Sequence, residues 1–145
     1  MSARPAFASG HRIGGKARRA WICTICGAWF DAKPAKHTQC RGSGTKAHMT
    51  TAQHFPSQAE AGHYMELRLL QRAGKIINLE CQPSFELSVN GVLLGKYIAD
   101  FQYFDTRTGR TVYADIKGGA QTEISDFKRR LAGALNRITI NIVRR

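Results

Sequence analysis

The sequence predicts an α/β (α+β) fold, with a mixed central sheet flanked by helices in the order α-β-β-β-α-β. Two stretches carry apolar residues at helical spacing, and the runs between them have the short alternating pattern of strands. A length of 145 residues suits one compact domain with a small appendage, and 43% hydrophobic residues is ordinary for a globular protein. No run of about 18 apolar residues occurs, so no transmembrane helix is expected.

The first predicted helix starts at Ser57 and ends near Ala73. Glu60 follows Ser57 at the spacing of a capping box, and Gly74 suits the position just after a helix. Two short strand-like runs and a tight turn come next: Ile76–Leu79, Pro83–Val89 and Asn90-Gly91. The predicted order leaves room for one extra strand at the start of the sheet.

The two best strand candidates are Tyr97–Phe104 and Arg110–Lys117, which residues 105–109 connect. Gly118-Gly119 then breaks the chain. The last predicted elements are a helix over Thr122–Leu135 and a strand over Ile138–Val143, with Ile138, Ile140 and Ile142 on one face.

The net charge of +12 is large for this length and is unevenly distributed. Residues 1–54 carry nine Lys or Arg against a single acid, Asp31, and residues 55–145 carry thirteen against nine acids. Such a field attracts polyanions, of which nucleic acid is the commonest, although a basic protein without that function would share it. Residues 1–20, which are rich in Gly, Ala and Arg, are predicted to form a flexible basic arm.

Residues 21–50 are predicted to form a zinc-finger-like module. The N-terminus lacks the apolar region of a signal peptide, which predicts a cytoplasmic protein whose cysteines bind metal or stay reduced. The predicted structural zinc ligands are Cys23, Cys26, His37 and Cys40, with His48 as the alternative to His37. Gly27 would let the backbone fold under the sulfurs of this Cys-x-x-Cys-Gly motif. A redox motif and incidental cysteines are the competing interpretations, and Cys81 is predicted to be a buried thiol.

Two aspartates interrupt the best strand candidates. Asp100 lies in the middle of the first, and Asp115 lies two residues before Lys117 in the second, so Asp115 and Lys117 share a face. If Asp105 pairs with Arg110, Asp100 comes directly opposite Asp115, with Cβ atoms about 5 Å apart. Two carboxylates at that distance repel each other unless a cation or a proton lies between them.

Mg²⁺ suits such a pair because it binds carboxylate oxygens, keeps several waters and also binds phosphate oxygens. Lys117 would then neutralise the charge that develops at a phosphate, which completes the minimum set of groups for phosphodiester hydrolysis. The non-catalytic alternative is a salt bridge between Lys117 and the aspartates, or a solvated sheet face.

Residues 55–135 resemble the PD-(D/E)XK nuclease superfamily, in particular small phage-encoded proteins similar to Holliday-junction resolvases. The matching stretches are Phe55-Pro-Ser57-Gln-Ala-Glu60-Ala, Leu79-Glu-Cys-Gln82-Pro83, Tyr97-Ile-Ala-Asp100-Phe and Tyr113-Ala-Asp115-Ile-Lys117-Gly118. The resemblance implies a restriction-endonuclease-like core in which Asp100 and Asp115 hold Mg²⁺ (or Mn²⁺) and Lys117 positions the nucleophile. It also implies that the carbonyl of Ile116 is a metal ligand.

The resemblance assigns a further catalytic acid in the first helix, which maps onto Glu60. Capping alone would explain Glu60, but it lies on the packed side of the helix, where a carboxylate usually has a partner. Gln82 could bind near the metal or only orient the Gln-Pro turn, and Lys128 could contact the scissile phosphate or be solvated. This chain departs from the family in having Asp115 where Glu is commoner, and in its zinc-like segment.

Together these features predict a Mg²⁺-dependent endonuclease acting on branched or recombination-intermediate DNA, and the resemblance implies a homodimer. The basic arm and the zinc module would grip phosphates. Two alternatives stay open. One is a non-catalytic, zinc-stabilised nucleic-acid-binding protein on a nuclease-like fold, and the other is an RNA-binding or RNA-processing factor.

Overall fold

The computed structural model describes residues 19–24, 27–31, 36–37, 48–49 and 52–145. Within these residues the chain has an α+β architecture with two helices and a mixed four-stranded sheet, which confirms the coarse fold class. Nearly all of the predicted basic arm lies outside the described residues. In the described part of the chain, no helix is long and apolar enough to cross a membrane.

The described elements follow one another from residue 20 to residue 144. The strands are β1 (Ala20–Cys23), β2 (Trp29–Phe30), β3 (Lys36–His37), β4 (His48–Met49), β5 (Ala52–Phe55), β6 (Ile76–Cys81), β7 (Ser84–Val89), β8 (Val92–Ile98), β9 (Phe101–Asp105), β10 (Arg110–Lys117) and β11 (Ile140–Arg144). The helices are α1 (Gln58–Arg72) and α2 (Glu123–Asn136), and both lie where the sequence predicts them.

Each helix begins after a side chain that caps it. The Oγ of Ser57 accepts a hydrogen bond from the amide of Glu60 at 3.2 Å, and Thr122 caps α2 in the same way. At the end of α2, the amide of Ile138 donates to the carbonyl of Gly133 at 3.0 Å. Ile138 therefore closes the helix instead of starting the last strand, and β11 begins later than predicted.

The main sheet has the strand order β11-β10-β9-β6. β10 pairs in parallel with β11 and antiparallel with β9, and β9 pairs antiparallel with β6. The helices and the strands of this sheet follow the predicted chain order α-β-β-β-α-β. The predicted pairing of Asp105 with Arg110 is confirmed, and the ladder runs on to Ala114 opposite Phe101.

The prediction of one strand over Tyr97–Phe104 is wrong, because the chain bends at Ala99 and Asp100. β8 ends before the bend and pairs with β7 in a separate hairpin, whereas β9 begins after it in the main sheet. The amide of Ala99 donates to the carbonyl of Pro83 at 3.1 Å, and the amide of Gln82 donates to the carbonyl of Asp100 at 2.9 Å. Asp100 therefore lies just before β9 and not in the middle of a strand.

Two apolar clusters form the core. The larger one lies between α1 and the main sheet and includes Leu67 and Phe101, both almost fully buried. The smaller one joins the β7–β8 hairpin to α2 and β11 through Leu87, Ala132 and Ile140. Residues of β1 belong to the larger cluster, so β1 packs in the same core as α1. The division of the chain into a basic arm (1–20), a zinc-finger-like module (21–50) and a PD-(D/E)XK nuclease-like domain (55–145) stays a prediction.

Candidate active site

Asp115 is a buried carboxylate on β10, with 2% of its surface exposed. Its Oδ2 accepts a hydrogen bond from the hydroxyl of Tyr97 at 2.7 Å and lies 3.1 Å from Nζ of Lys117. Burying a charge is costly unless it is paired and hydrogen-bonded, and Asp115 meets both conditions. Lys117 can approach it because strand residues two apart share a face.

Asp100 contacts the same strand from the bend before β9. Its amide donates to the carbonyl of Ala114 at 3.1 Å, and its Oδ2 accepts a hydrogen bond from the amide of Ile116 at 2.5 Å. These two bonds fix Asp100 beside Asp115. Burial, and then contact with the Asp115 carboxyl, raises the pKa of Asp100 to about 8, although the Ile116 amide acts in the opposite direction.

Glu60 faces this pair from the first turn of α1, which packs against β10. The hydroxyl of Ser57 donates to its Oε1 at 3.0 Å while accepting from its amide, so the cap is intact. Burial raises the pKa of Glu60, and the Ser57 hydrogen bond and the charge of Lys117 partly oppose this, while the charge of Asp115 adds to it. Glu60 therefore serves as a capping residue and also feels the charges of the buried pair.

The structure thus brings four side chains together at one end of the sheet. We call Glu60, Asp100, Asp115 and Lys117 the carboxylate–lysine cluster. Three carboxyl groups face a single ammonium group, so the cluster has an excess of acidic groups. That excess raises the pKa of Asp100 on top of the effect of burial, whereas burial mainly accounts for the direction of the Glu60 shift, which Ser57 and Lys117 oppose.

Mg²⁺ fits the donor set of the two aspartates. Both offer hard carboxylate oxygens, and a cation between them would relieve the repulsion that raises the Asp100 pKa. Among the described residues, no three His, Cys, Asp or Glu side chains form a group that could hold a metal by themselves. Mg²⁺ does not require one, because it is commonly bound by one or two carboxylates together with waters and substrate phosphates.

The supporting residues of the prediction have different positions. Gln82, with a φ of 56°, holds the backbone of Asp100 through its amide. Ile116 is buried and uses its own amide to bind Asp100. Lys128 is exposed on α2, and no hydrogen bond or ion pair in the described part of the chain joins it to the carboxylate–lysine cluster.

Tyr97 is a site residue that the sequence does not indicate. Residues three apart in a regular strand point to opposite faces, so an unbroken strand would direct Tyr97 away from Asp100. The bend at Ala99 removes that constraint and lets the Tyr97 hydroxyl contact Asp115. Only the strand break could have revealed this, and the alternating sequence gives no sign of it.

The predicted zinc module is described only in part. Cys23 is buried at the end of β1, and its carbonyl accepts a hydrogen bond from the amide of Gly27 at 2.8 Å. Gly27 has a φ of 78°, in the left-handed region that glycine adopts without strain. The backbones of His37 and His48 pair across β3 and β4. The remaining predicted ligands, Cys26 and Cys40, lie outside the described residues, so the zinc site stays a prediction.

Cys81 lies at the end of β6 and is partly buried. Burial raises the pKa of its thiol to about 11. Because the thiolate is the reactive form, Cys81 is a poor nucleophile near neutral pH. The prediction of a buried thiol is confirmed only in part, since Cys81 is partly exposed.

Comparison with known proteins adds a family. Residues 43–138, more than half of the chain, match a family model described as a protein of unknown function, DUF1064. No curated protein and no solved structure matches the chain. The matched segment includes both helices and the whole carboxylate–lysine cluster. The chain therefore belongs to the DUF1064 family.

Proposed function

We propose that this protein is a metal-dependent DNA endonuclease that hydrolyses phosphodiester bonds in branched or recombination-intermediate DNA. The proposal includes a restriction-endonuclease-like core. The observation that carries it is the convergence of Asp100 and Asp115 beside Lys117, with Glu60 next to them. A net charge of +12 supports a polyanionic substrate.

Each residue of the cluster has a role in this proposal. Asp100 and Asp115 hold Mg²⁺ or Mn²⁺, which polarises the phosphodiester and lowers the pKa of a bound water. Lys117 places its ammonium group where negative charge develops on the phosphate. Glu60, whose pKa is raised by burial, can exchange a proton closer to neutral pH than an ordinary glutamate can.

The rest of the chain adds affinity. In the proposal, a structural zinc ion held by Cys23, Cys26, Cys40 and either His37 or His48 stabilises the N-terminal module in a reducing cytoplasm. The basic arm contacts phosphates. Because resolvase-like enzymes cut two strands, we also propose that the protein acts as a homodimer.

A cleavage assay tests the proposal. Purified protein is incubated with a four-way junction, a flap and a linear duplex, each with and without Mg²⁺. We expect Mg²⁺-dependent nicking, and we expect Asp100→Asn and Asp115→Asn each to abolish it while DNA binding is kept or strengthened. Binding should survive because neither change adds negative charge to the site that DNA approaches, and DNA is itself negative.

Asp105→Asn is the matched control. Asp105 lies at the end of β9 and accepts hydrogen bonds from the amides of Arg107 and Thr108, which an asparagine oxygen can also accept. The same chemical change outside the cluster should leave nicking unaltered. Undiminished Mg²⁺-dependent nicking by the Asp100→Asn/Asp115→Asn double variant would rule out this active site.

A non-catalytic nucleic-acid-binding role is the second candidate, and the large positive charge favours it. Tight, salt-sensitive binding without nicking of any of the three substrates would select this role over the nuclease. Competition between DNA and RNA of the same sequence and structure would then identify an RNA-binding factor if RNA displaces DNA.

A further inference from the structure

A groove runs along one face of α2. It consists of two adjoining cavities of about 830 and 390 Å³, which share Phe127 and Arg130 in their walls. Phe127, Arg130, Ala134 and Arg137 recur three or four residues apart, so they form one stripe of the helix. We call the two cavities and this stripe the α2 groove.

The side chains of the stripe combine an aromatic ring with positive charge. Phe127 is 64% exposed, although a phenyl ring of this size is normally covered. Arg130 and Arg137 are also exposed, and in the described part of the chain neither forms an ion pair. Gly133 and Ala134 lie between them and add no charge to the wall of the larger cavity. An exposed ring beside free guanidinium groups is typical of surfaces on which nucleic-acid bases stack.

The acidic side chains of the groove lie only at its smaller cavity. Glu123 and Asp126 line the smaller cavity, and Asp126 forms an ion pair with Arg129 at 2.6 Å. Three arginines line the larger cavity, and no acidic residue does. The end of the groove near Arg137 is therefore its positive end.

Two buried donors in the walls lack an acceptor. The Nε atom of Arg129, in the larger cavity, and the Nε2 atom of Gln121, in the smaller one, have no hydrogen-bond partner among the described residues. A buried donor without an acceptor is unfavourable. Both groups are donors enclosed in the walls, so they add to the donor-rich character of the groove without contacting a ligand directly.

The groove adjoins the site of the proposed chemistry. Arg129 in its wall lies close enough to Tyr97 for its charge to act on the Tyr97 hydroxyl. That hydroxyl donates to Asp115 at 2.7 Å. One wall of the groove is therefore linked to Asp115 through Arg129 and Tyr97.

We propose that the α2 groove binds an unpaired nucleotide of a DNA strand, whose base stacks on Phe127 and whose flanking phosphates contact Arg130 and Arg137. The substrate class is then DNA that carries unpaired nucleotides near the cleavage point. This inference rests on the proposed nuclease function for its substrate. A second copy of this chain covering Phe127 is the competing occupant, and the free charge of the two arginines speaks against it.

Fluorescence of 2-aminopurine tests the stacking. The base analogue is placed in a short single-stranded gap of a duplex and, for comparison, in the same duplex without the gap. Full-length protein is titrated without added divalent metal, so that the DNA stays intact. We expect a fluorescence change with the gapped DNA, its loss in Phe127→Ala, and affinity for gapped DNA about five- to hundred-fold weaker in that variant.

Ile124→Ala is the matched control, because Ile124 is 70% exposed on the same helix and lines neither cavity. It should leave the fluorescence change and the affinity unaltered. Arg130→Ala/Arg137→Ala should reduce the slope of log affinity against log salt by roughly 0.7 for each phosphate that is no longer neutralised. Arg107→Ala, an exposed arginine in the turn after β9, should leave that slope nearly constant.

The two proposals can fail separately. Protein that shows the Phe127-dependent signal but never nicks DNA keeps the groove and loses the nuclease. Equal fluorescence changes in the wild type and in Phe127→Ala would overturn the groove even if the protein nicks DNA. The groove is also overturned if Phe127→Ala converts a dimer to a monomer in sedimentation while the DNA signal persists, because the ring would then belong to a subunit interface.

Discussion

The hydrogen bond from Tyr97 helps to stabilise the buried carboxylate of Asp115 next to the carboxyl group of Asp100. Asp115 has its hydrogen bond from the Tyr97 hydroxyl and its ion pair with Lys117, and both act on the same oxygen. Burial and the neighbouring Asp115 raise the pKa of Tyr97, so the phenol keeps its proton and remains a donor. The geometry of Asp115 therefore depends on a residue that has no direct role in the proposed chemistry.

Tyr97→Phe should separate the effect of the Tyr97 hydroxyl on Asp115 from the packing of the Tyr97 ring. The variant keeps the ring but leaves Oδ2 of Asp115 with one donor fewer, and a buried acceptor that loses its partner costs about 1–3 kcal/mol. We expect the free energy of unfolding, measured by urea denaturation, to fall by this amount. Mg²⁺-dependent nicking should also slow, because Asp115 is held less firmly. Tyr103→Phe on β9 is the control, and equal effects of the two variants would mean that the hydrogen bond contributes nothing.

At the scale of the element, the β7–β8 hairpin is set by its turn. Asn90 and Gly91 have φ values of 50° and 79°, which is the pattern of a type I′ turn and matches the twist of the two strands. The hairpin carries Tyr97 at its far end, beyond a register shift between Leu87 and Ser88, so the turn and this irregularity together decide whether the hydroxyl meets Asp115. A local turn signal thus has a consequence inside the candidate site.

The same substitution, Gly→Ala, should change the stability of the protein in opposite directions at two positions. Gly91→Ala forces a Cβ into the left-handed region and should destabilise the protein by about 1–2 kcal/mol. Gly62→Ala, in the interior of α1 with no atom near its new Cβ, should stabilise it by roughly 0.5–1 kcal/mol. Thermal unfolding of both variants measures the difference. Destabilisation by both changes would show that Gly62 is needed for packing.

The sequence predicted correctly those elements whose ends depend on residues close by in the chain. Ser57 and Thr122 marked the starts of the helices, and Asn90-Gly91 marked the hairpin turn, because each acts on backbone atoms within a few residues. The break at Asp100 could not be predicted from the alternating pattern. It exists because Gln82 and Pro83, far away in sequence, bind the backbone on either side of the bend.

At the scale of the whole molecule, some parts of the candidate site could also be predicted from the sequence and others could not. The Asp-x-Lys spacing and the hairpin count from Asp105 and Arg110 placed Asp100 near Asp115, because antiparallel register is simple arithmetic. Tyr97 and the α2 groove depend instead on how α2 and the β7–β8 hairpin pack on the main sheet. Packing of that kind joins residues without any sequence spacing that marks it.

The parallel pairing of β10 and β11 also links the far end of the chain to α1. The amide of Arg145 donates to the carbonyl of Lys117 at 3.2 Å, and its guanidinium contacts the carboxylate of Glu66 and lies 3.1 Å from Nδ1 of His63. His63 also lies against the ring of Phe101, with 5.6 Å between the ring centroids. The histidine is therefore enclosed between a helix, the main sheet and a cation.

This enclosure should make the stability of the whole fold depend on pH. Burial, and then the charge of Arg145, lowers the pKa of His63, while Glu66 opposes this. The unfolded chain, with a histidine pKa near 6.5, takes up a proton that the folded chain resists, so His63 should cost stability as the pH falls below about 6.5. Asp100, with its raised pKa, has the opposite effect on stability over the same pH range. The contribution of His63 is therefore measured as the difference between a His63 variant and the wild type.

We expect His63→Gln to lose less free energy of unfolding than the wild type between about pH 7.5 and about pH 5.5, measured by urea denaturation. Equal losses in both proteins would mean that His63 titrates alike in the folded and unfolded states, and that its contact with Arg145 does not control its charge.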